Sequence, residues 1–265
     1  MTSSFSEQEV ERYARHLVLR ELGGPGQQAL KRARVLIAGL GGVGAPAALY
    51  LAAAGVGRLG LLDFDHVALS NLQRQVIFTE ADLGRSKVAA AAERLHALNS
   101  DIELVPLDRQ LDAANAADIL AGWDLVIDGT DNLATRLAIS DACVAGRQDL
   151  VTAAVGAWEV QVGLFRGRPC WRCLNPEPER DAFACTKSGV LGALTGVAGA
   201  LAAGAAVKAL VEAGEDRAGR LLMLDLLNWR TTTVAAPSRP DCPACGHAPP
   251  RPSSRPSLVS TDDLS

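Results

Sequence analysis

Residues 35–44 read VLIAGLGGVG, and the fold is decided by how they are read. Val35, Leu36, Ile37 and Ala38 form a short apolar run that stops at a cluster of glycines, and an alanine-rich segment follows at once. That is the order strand, tight turn, helix. Gly39, Gly41 and Gly44 fit G-x-G-x-x-G, in which the glycines serve a tight turn, close backbone approach and helix–strand packing. Without side chains there, backbone N–H groups and the positive end of the helix can meet a phosphate directly. A second apolar run, Arg58-Leu59-Gly60-Leu61-Leu62, ends in Asp63, about 20 residues on, where an acid holds a ribose hydroxyl. A lone glycine motif is an ordinary turn. With its flanking strand, helix and acid it points to a nucleotide site.

Working outward, residues 6–20 open with Ser6 and Glu9 in capping-box spacing, and Val10, Tyr13, Ala14, Leu17 and Val18 recur at helical spacing. Gly23-Gly24-Pro25-Gly26 reads as a break, with a short helix over 27–32. Residues 45–54 suit a helix packed on a sheet. Beyond Asp63 the chain becomes polar, with Asp65, Ser70, Asn71, Gln73, Arg74 and Gln75 in quick succession. Ser86 is the expected cap of a helix over 88–98. Strands are expected at 102–107, 123–127 and 150–154, with helices between and after them, the fourth strand running into Asp128-Gly129-Thr130-Asp131-Asn132. The alternation predicts a Rossmann-like open, mostly parallel α/β sheet with helices on both faces. Past Gly156 the rhythm changes to a hairpin strand, a long helix over about 188–213 and two short strands at 221–226 and 230–234, an antiparallel extension. The expected organisation is an N-terminal helical arm (1–30), a nucleotide-binding body (31–246) and a disordered Pro/Ser-rich tail (247–265).

Composition bounds the function. Apolar residues make up 48% and charged residues 21%, ordinary for a globular protein. A net charge of −4 argues against a general nucleic-acid binder, which needs clustered Lys and Arg. No export signal is visible in residues 1–20, so a cytoplasmic setting is expected. Residues 189–207 carry no charge over a length that could cross a bilayer, but the run is mostly Ala and Gly. It is read as a buried helix, suited to a dimer interface, and no membrane partner is expected.

The six cysteines fall as Cys170-x-x-Cys173, Cys242-x-x-Cys245 and two singles. In a reducing compartment such pairs read as metal ligands before disulfides, and four thiolates close a structural Zn²⁺ site with no open position. Arg74 and Lys87 follow the glycine turn, and Asp131 lies just past the fourth strand. Ligands in open α/β sheets bind at the carboxyl ends of the strands. Two cations there would stabilise charge on a phosphoryl group, while a carboxylate could hold Mg²⁺. Each alone is an ordinary surface charge or helix cap; the combination is informative.

The segments GLGGVG, LLDFDHVALSNLQRQ, GRSKV, DGTDN and the CWRC/CPAC pairs resemble the MoeB/ThiF/HesA family, bacterial relatives of ubiquitin-activating enzymes, from Arg12 to Gly246. The resemblance is greatest to the molybdopterin-synthase activators within it, with thiamine and other sulfur pathways next. It implies use of ATP and Mg²⁺ to adenylate the C-terminal Gly-Gly carboxylate of a ubiquitin-like sulfur carrier, releasing pyrophosphate, with sulfur supplied by a separate donor protein. It also implies that Gly42 lies by the phosphates and that Asp63 binds ribose. Asn71, Arg74 and Lys87, with Ser70 alongside, would orient and neutralise the triphosphate, and Asp131, beside Asn132, would hold Mg²⁺. Arg15 would reach the ATP of the partner subunit in a homodimer, and Cys170, Cys173, Cys242 and Cys245 would hold Zn²⁺. Cys185 keeps two readings: a nucleophile that takes the carrier into a thioester or acyl-persulfide, or a spare thiol. Cys143 reads as a buried small hydrophobe. A nicotinamide-dependent oxidoreductase shares the glycine motif and acid but leaves Arg74, Lys87 and DGTDN unexplained; a non-catalytic zinc-stapled dimer leaves the whole polar set unexplained.

Overall fold

The apolar run around Ile37 lies at the middle of the sheet because both of its faces are buried, as in parallel strands covered by helices. The computed structural model describes residues 5–174 and 189–246. Five parallel strands, β1 (Arg34–Ala38), β2 (Arg58–Asp63), β3 (Glu103–Asp108), β4 (Leu125–Asp128) and β5 (Asp149–Gly156), continue into antiparallel β6 (Glu159–Phe165), β7 (Arg220–Asp225) and β8 (Arg230–Ala235). The order across this eight-stranded sheet is β3-β2-β1-β4-β5-β6-β7-β8. Chain direction across the sheet therefore reverses between β1 and β4, where Ile37 lies level with Leu61 on one side and Ile127 on the other. This is the expected α/β fold with its antiparallel extension.

Successive strand residues point to opposite faces and fill two cores. Val35, Ile37, Leu59, Leu61 and Ile127 pack with α4 (Gly44–Ala53), α5 (Lys87–Leu98) and α9 (Gly192–Leu210). Leu36, Ala38, Leu62 and Val126 pack with α6 (Ala116–Leu120) and α7 (Leu133–Gly146), and this second core also takes in Phe165 and Trp171 of α8 (Trp171–Leu174). Of the described helices, α9 has the length and composition to cross a membrane; in the fold it lies against β5, β6 and α4. Its glycines allow this approach: a Cβ on Gly199 would come within 2.4 Å of the Val43 carbonyl, and one on Gly192 within 2.3 Å of the Gln73 carbonyl.

The N-terminal arm departs from the single-helix expectation. The Ser6–Glu9 capping box forms, but the helix splits at Tyr13 into α1 (Glu7–Arg12) and α2 (Ala14–Leu17). Tyr13 is diverted inward, where its Oη accepts from Asn99 Nδ2 at 3.0 Å and lies where a side chain on Gly55 would be. The Gly23–Gly26 break is in fact the first turn of α3 (Gly23–Arg32), which can include Pro25 because first-turn N–H groups have no partner within the helix. Ser86 precedes α5 but does not cap it; its hydroxyl donates to Asp108 Oδ2 at 2.7 Å. The region expected to be a disordered tail lies outside the described residues.

The long connection from β2 to α5 is pinned by buried Asp82. Its carboxylate accepts from Thr79 N–H at 2.9 Å and Oγ1–H at 2.9 Å, from Arg85 at 3.0 Å and from Arg94 at 3.0 Å. The Thr79 N–H leads in lowering its pKa from 3.8 to about 2, against the opposing effect of burial. The stability this group supplies is present above its unfolded value of 3.8 and is lost as pH falls through about 2. Asp82→Asn is expected to cost about 2 kcal/mol at neutral pH, since hydrogen bonds to a buried charge are lost. It should also flatten the acid limb of stability below about pH 4, as read from urea unfolding across a pH series.

Candidate active site and metal centre

The glycine turn after β1 is shaped by contacts that exclude side chains. Gly39 sits at φ +85°, and a Cβ on Gly44 would fall 1.7 Å from the Gly39 carbonyl oxygen. Asp63, at the tip of β2, holds the turn from the side: Oδ2 accepts from Leu40 N–H at 2.7 Å and Oδ1 from Asp65 N–H at 2.9 Å. Each carboxylate oxygen keeps a further lone pair for a ligand hydroxyl. α4 starts at Gly44, so its positive end faces the same space.

Above this turn, at the carboxyl ends of β1, β2, β4 and β5, lies a cavity of about 670 Å³. It brings together Gly39, Gly41, Gly42, Asp63, Asn71, Arg74, Lys87, Asp131 and Asn132 from the sequence-derived set. Lys87 is 5% exposed and its ammonium pairs with Asp65 Oδ2 at 2.8 Å. Arg74 rests on its own turn, donating to the Ser70 carbonyl at 3.0 Å. Asn71 and Asn132 use their side-chain oxygens on the Ala68 and Thr135 N–H groups, which leaves their amide N–H groups for a ligand. Asp131 is exposed at the cavity wall. Gly44 lies behind the turn and Ser70 beside it, neither on the lining. Arg15, on α2, is exposed and outside the cavity. Cys185 falls outside the described residues.

Other lining residues lie outside the sequence-derived set. Gln75 is buried against Gly41, and its Oε1 has no hydrogen-bond partner. Arg136, on α7, reaches back to donate to the Thr130 carbonyl from Nε at 2.9 Å and to the Ala153 carbonyl at 2.8 Å. Thr195 arrives on α9, 121 residues after Arg74, and donates to the Arg74 carbonyl at 3.3 Å. Asp65 is visible in the sequence, but its pairing with Lys87 is not.

A second site forms near the C-terminal end of α7, where Val144 packs on it. Cys170, Cys173, Cys242 and Cys245 are all buried, with ligand atoms within 4.8 Å of one another. Separations of 4.0 Å (Cys170–Cys173), 3.7 Å (Cys170–Cys242) and 3.4 Å (Cys173–Cys245) are far longer than a disulfide bond. They are close to the edges of about 3.8 Å of a tetrahedron with metal–sulfur bonds of about 2.3 Å. Burial pushes the Cys170 thiol up. At Cys242 burial acts in the same sense, but the N–H groups of Cys245 and Ala244 outweigh it and bring the thiol down to about 7. The donor set can hold a thiophilic tetrahedral cation such as zinc.

A ThiF family profile matches residues 13–244. The Adenylyltransferase and sulfurtransferase MOCS3 of Bos taurus is 45% identical over 252 residues, covering 93% of this chain and 55% of that protein. The MOCS3 of Anopheles gambiae is 43% identical over 252 residues, covering 93% and 57%. The chain thus spans about half the length of these relatives. The SAMP-activating enzyme E1 of Haloferax volcanii is 41% identical over 249 residues, covering 93% of this chain and 92% of that one. Among solved structures, E. coli MccB with ATP superposes at a TM-score of 0.80 with 22% identity, over 92% of this chain and 75% of that chain, a likeness of fold alone. With the profile spanning nearly the whole described chain, this protein belongs to the ThiF family.

Proposed function

We propose that this chain is an adenylyltransferase that uses ATP to activate the C-terminal glycine carboxylate of a ubiquitin-like sulfur carrier, releasing pyrophosphate. The observation that carries this reading is the meeting of a bare glycine turn, Arg74, Lys87 and Asp131 on one cavity large enough for a nucleotide and a peptide end. Support comes from relatives named for adenylyl transfer and for SAMP activation. The pathway served is molybdenum cofactor synthesis or a related sulfur transfer, with sulfur delivered by a separate protein. A reducing cytoplasm suits the free thiols.

A carboxylate attacks a triphosphate poorly because both are anions. On this reading the N–H groups of residues 39–44 and the α4 N-terminus fix the phosphates, and Asp63 takes the ribose. Asn71, Arg74 and Lys87 align the α-phosphate and offset its charge as the carboxylate oxygen bonds to phosphorus and pyrophosphate departs. Asp131, beside Asn132, would hold Mg²⁺, which would supply further charge withdrawal from the phosphate oxygens. The attacking group is already ionised, so no side chain has to remove a proton. Lys87 and Arg74 rest on Asp65 and the Ser70 carbonyl, and both are long enough to turn to a ligand. Arg74→Ala or Asp131→Ala is expected to lower carrier-dependent ATP–pyrophosphate exchange by a factor of about 10² or more, with the thermal unfolding midpoint unchanged. Full exchange activity in both variants would overturn the assignment, as would a chain that binds a nicotinamide dinucleotide and ignores ATP.

Arg15 makes no ion pair among the described residues and does not line the cavity of its own subunit. It is proposed to act across a homodimer. Mixing inactive Arg15→Ala and Asp131→Ala subunits should then restore about a quarter of wild-type activity, because half of the dimers are mixed and each holds one intact site. No recovery after subunit exchange would place Arg15 elsewhere. The four cysteines are proposed to hold one structural Zn²⁺ per chain. Cys245→Ser should lose the metal by elemental analysis and unfold at a lower temperature, since metal binding contributes folding free energy.

A further inference from the structure

The cavity meets the start of α7 and the cysteine cluster packs near its end, and contacts along that helix connect them. At its first turns, Arg136 donates to the Thr130 carbonyl, immediately before Asp131, and to the Ala153 carbonyl of β5 on the cavity wall. A third contact, 3.4 Å to Thr152 Oγ1, crosses to the same strand. The guanidinium also lies 5.9 Å from the ring centre of Trp171, within cation–π range. Trp171 occupies the turn between Cys170 and Cys173 and is almost completely buried. One helical turn further along α7, Asp141 takes the Arg172 guanidinium from Nε at 2.8 Å. Val144, near the end of the helix, packs on the cysteines themselves. The short cysteine-bearing helix thus grips α7 at three points.

We infer that occupancy of the metal centre sets nucleotide affinity, with Arg136 the positioning residue that carries the coupling through Trp171. The metal fixes Cys170 and Cys173, and hence the plane of the Trp171 ring between them. That ring lies within cation–π range of Arg136, while the same guanidinium holds the Thr130 carbonyl and so the backbone that presents Asp131. A fork of several N–H groups is needed: it bonds the Thr130 and Ala153 carbonyls at once from fixed positions, which a lysine ammonium does not reproduce. On this inference Arg136 acts through the backbone that presents Asp131. The inference rests on the nucleotide reading of the cavity.

The test is a cycle of two perturbations read by calorimetric titration with ATP. Zinc is stripped from the full chain by a chelator, and retention of fold is checked by circular dichroism. In the wild type, stripping should weaken ATP binding by about tenfold, a typical coupling between sites. Arg136→Ala should weaken it by a similar factor with zinc content unchanged, and stripping zinc from that variant should add little. Arg136→Lys should recover only part of the affinity. Trp171→Leu, which keeps all four thiols and an apolar filler, guards against unfolding of the stripped chain; it should raise the dissociation constant while the zinc stays bound. Additive losses from Arg136→Ala and zinc removal, or unchanged affinity in Trp171→Leu, would overturn the coupling. Failure of the wild type itself to bind ATP would instead count against the nucleotide reading.

Discussion

Everything at the cavity floor depends on backbone meeting backbone where β1 and β4 diverge. Gly39, Gly44 and Gly129 interlock there: side chains on them would press on the Gly129 carbonyl, the Gly39 carbonyl and the Gly44 amide in turn. The two turns that follow β1 and β4 therefore touch directly, with no side chain between them. One presents N–H groups and a helix end; the other presents Asp131. A Cβ on Gly39 or Gly129 would come within 3.1 Å of the other turn's backbone, so the two halves of the site would have to move apart by a few tenths of an ångström.

Around this contact the polar groups are held by one another. Asp63 serves the turn before it serves any ligand, Lys87 is compensated by Asp65, and Arg74 rests on Ser70. A buried cation with its counter-charge at hand has part of its desolvation cost offset. α9 closes the site from a distance in sequence. Its small residues let it press on the glycine turn, so Thr195 fills the space beside Gly42, where a Cβ would come within 2.9 Å of it.

What the sequence made legible was local. The glycine spacing, the acid at the end of β2 and the strand–helix alternation are short-range patterns, and the structure keeps them. The paired cysteines are legible as a ligand set for the same reason. Tyr13, Ser86 and Arg136 show why the rest was hidden. Tyr13 reads as one more apolar position on a helix, yet Asn99, 86 residues away, draws it inward and splits that helix. Ser86 has the right chemistry for a cap but a better acceptor in Asp108. Arg136 looks like an ordinary helical cation until β5 arrives with its carbonyls. In each, a partner distant along the chain outcompetes the local preference, and nothing in the adjoining residues announces it.

The spacing of the four cysteines has a bearing on synthesis. The first pair is made before α9 and the last two strands exist, and the second pair lies 72 residues downstream of the first. A nascent or truncated polypeptide can therefore offer an ion only half a coordination sphere, which leaves it exchangeable. Full tetrahedral capture waits until β7 and β8 have emerged and docked. Any ion held by all four thiolates would thus report that the two distant cysteine pairs have both been made and have met.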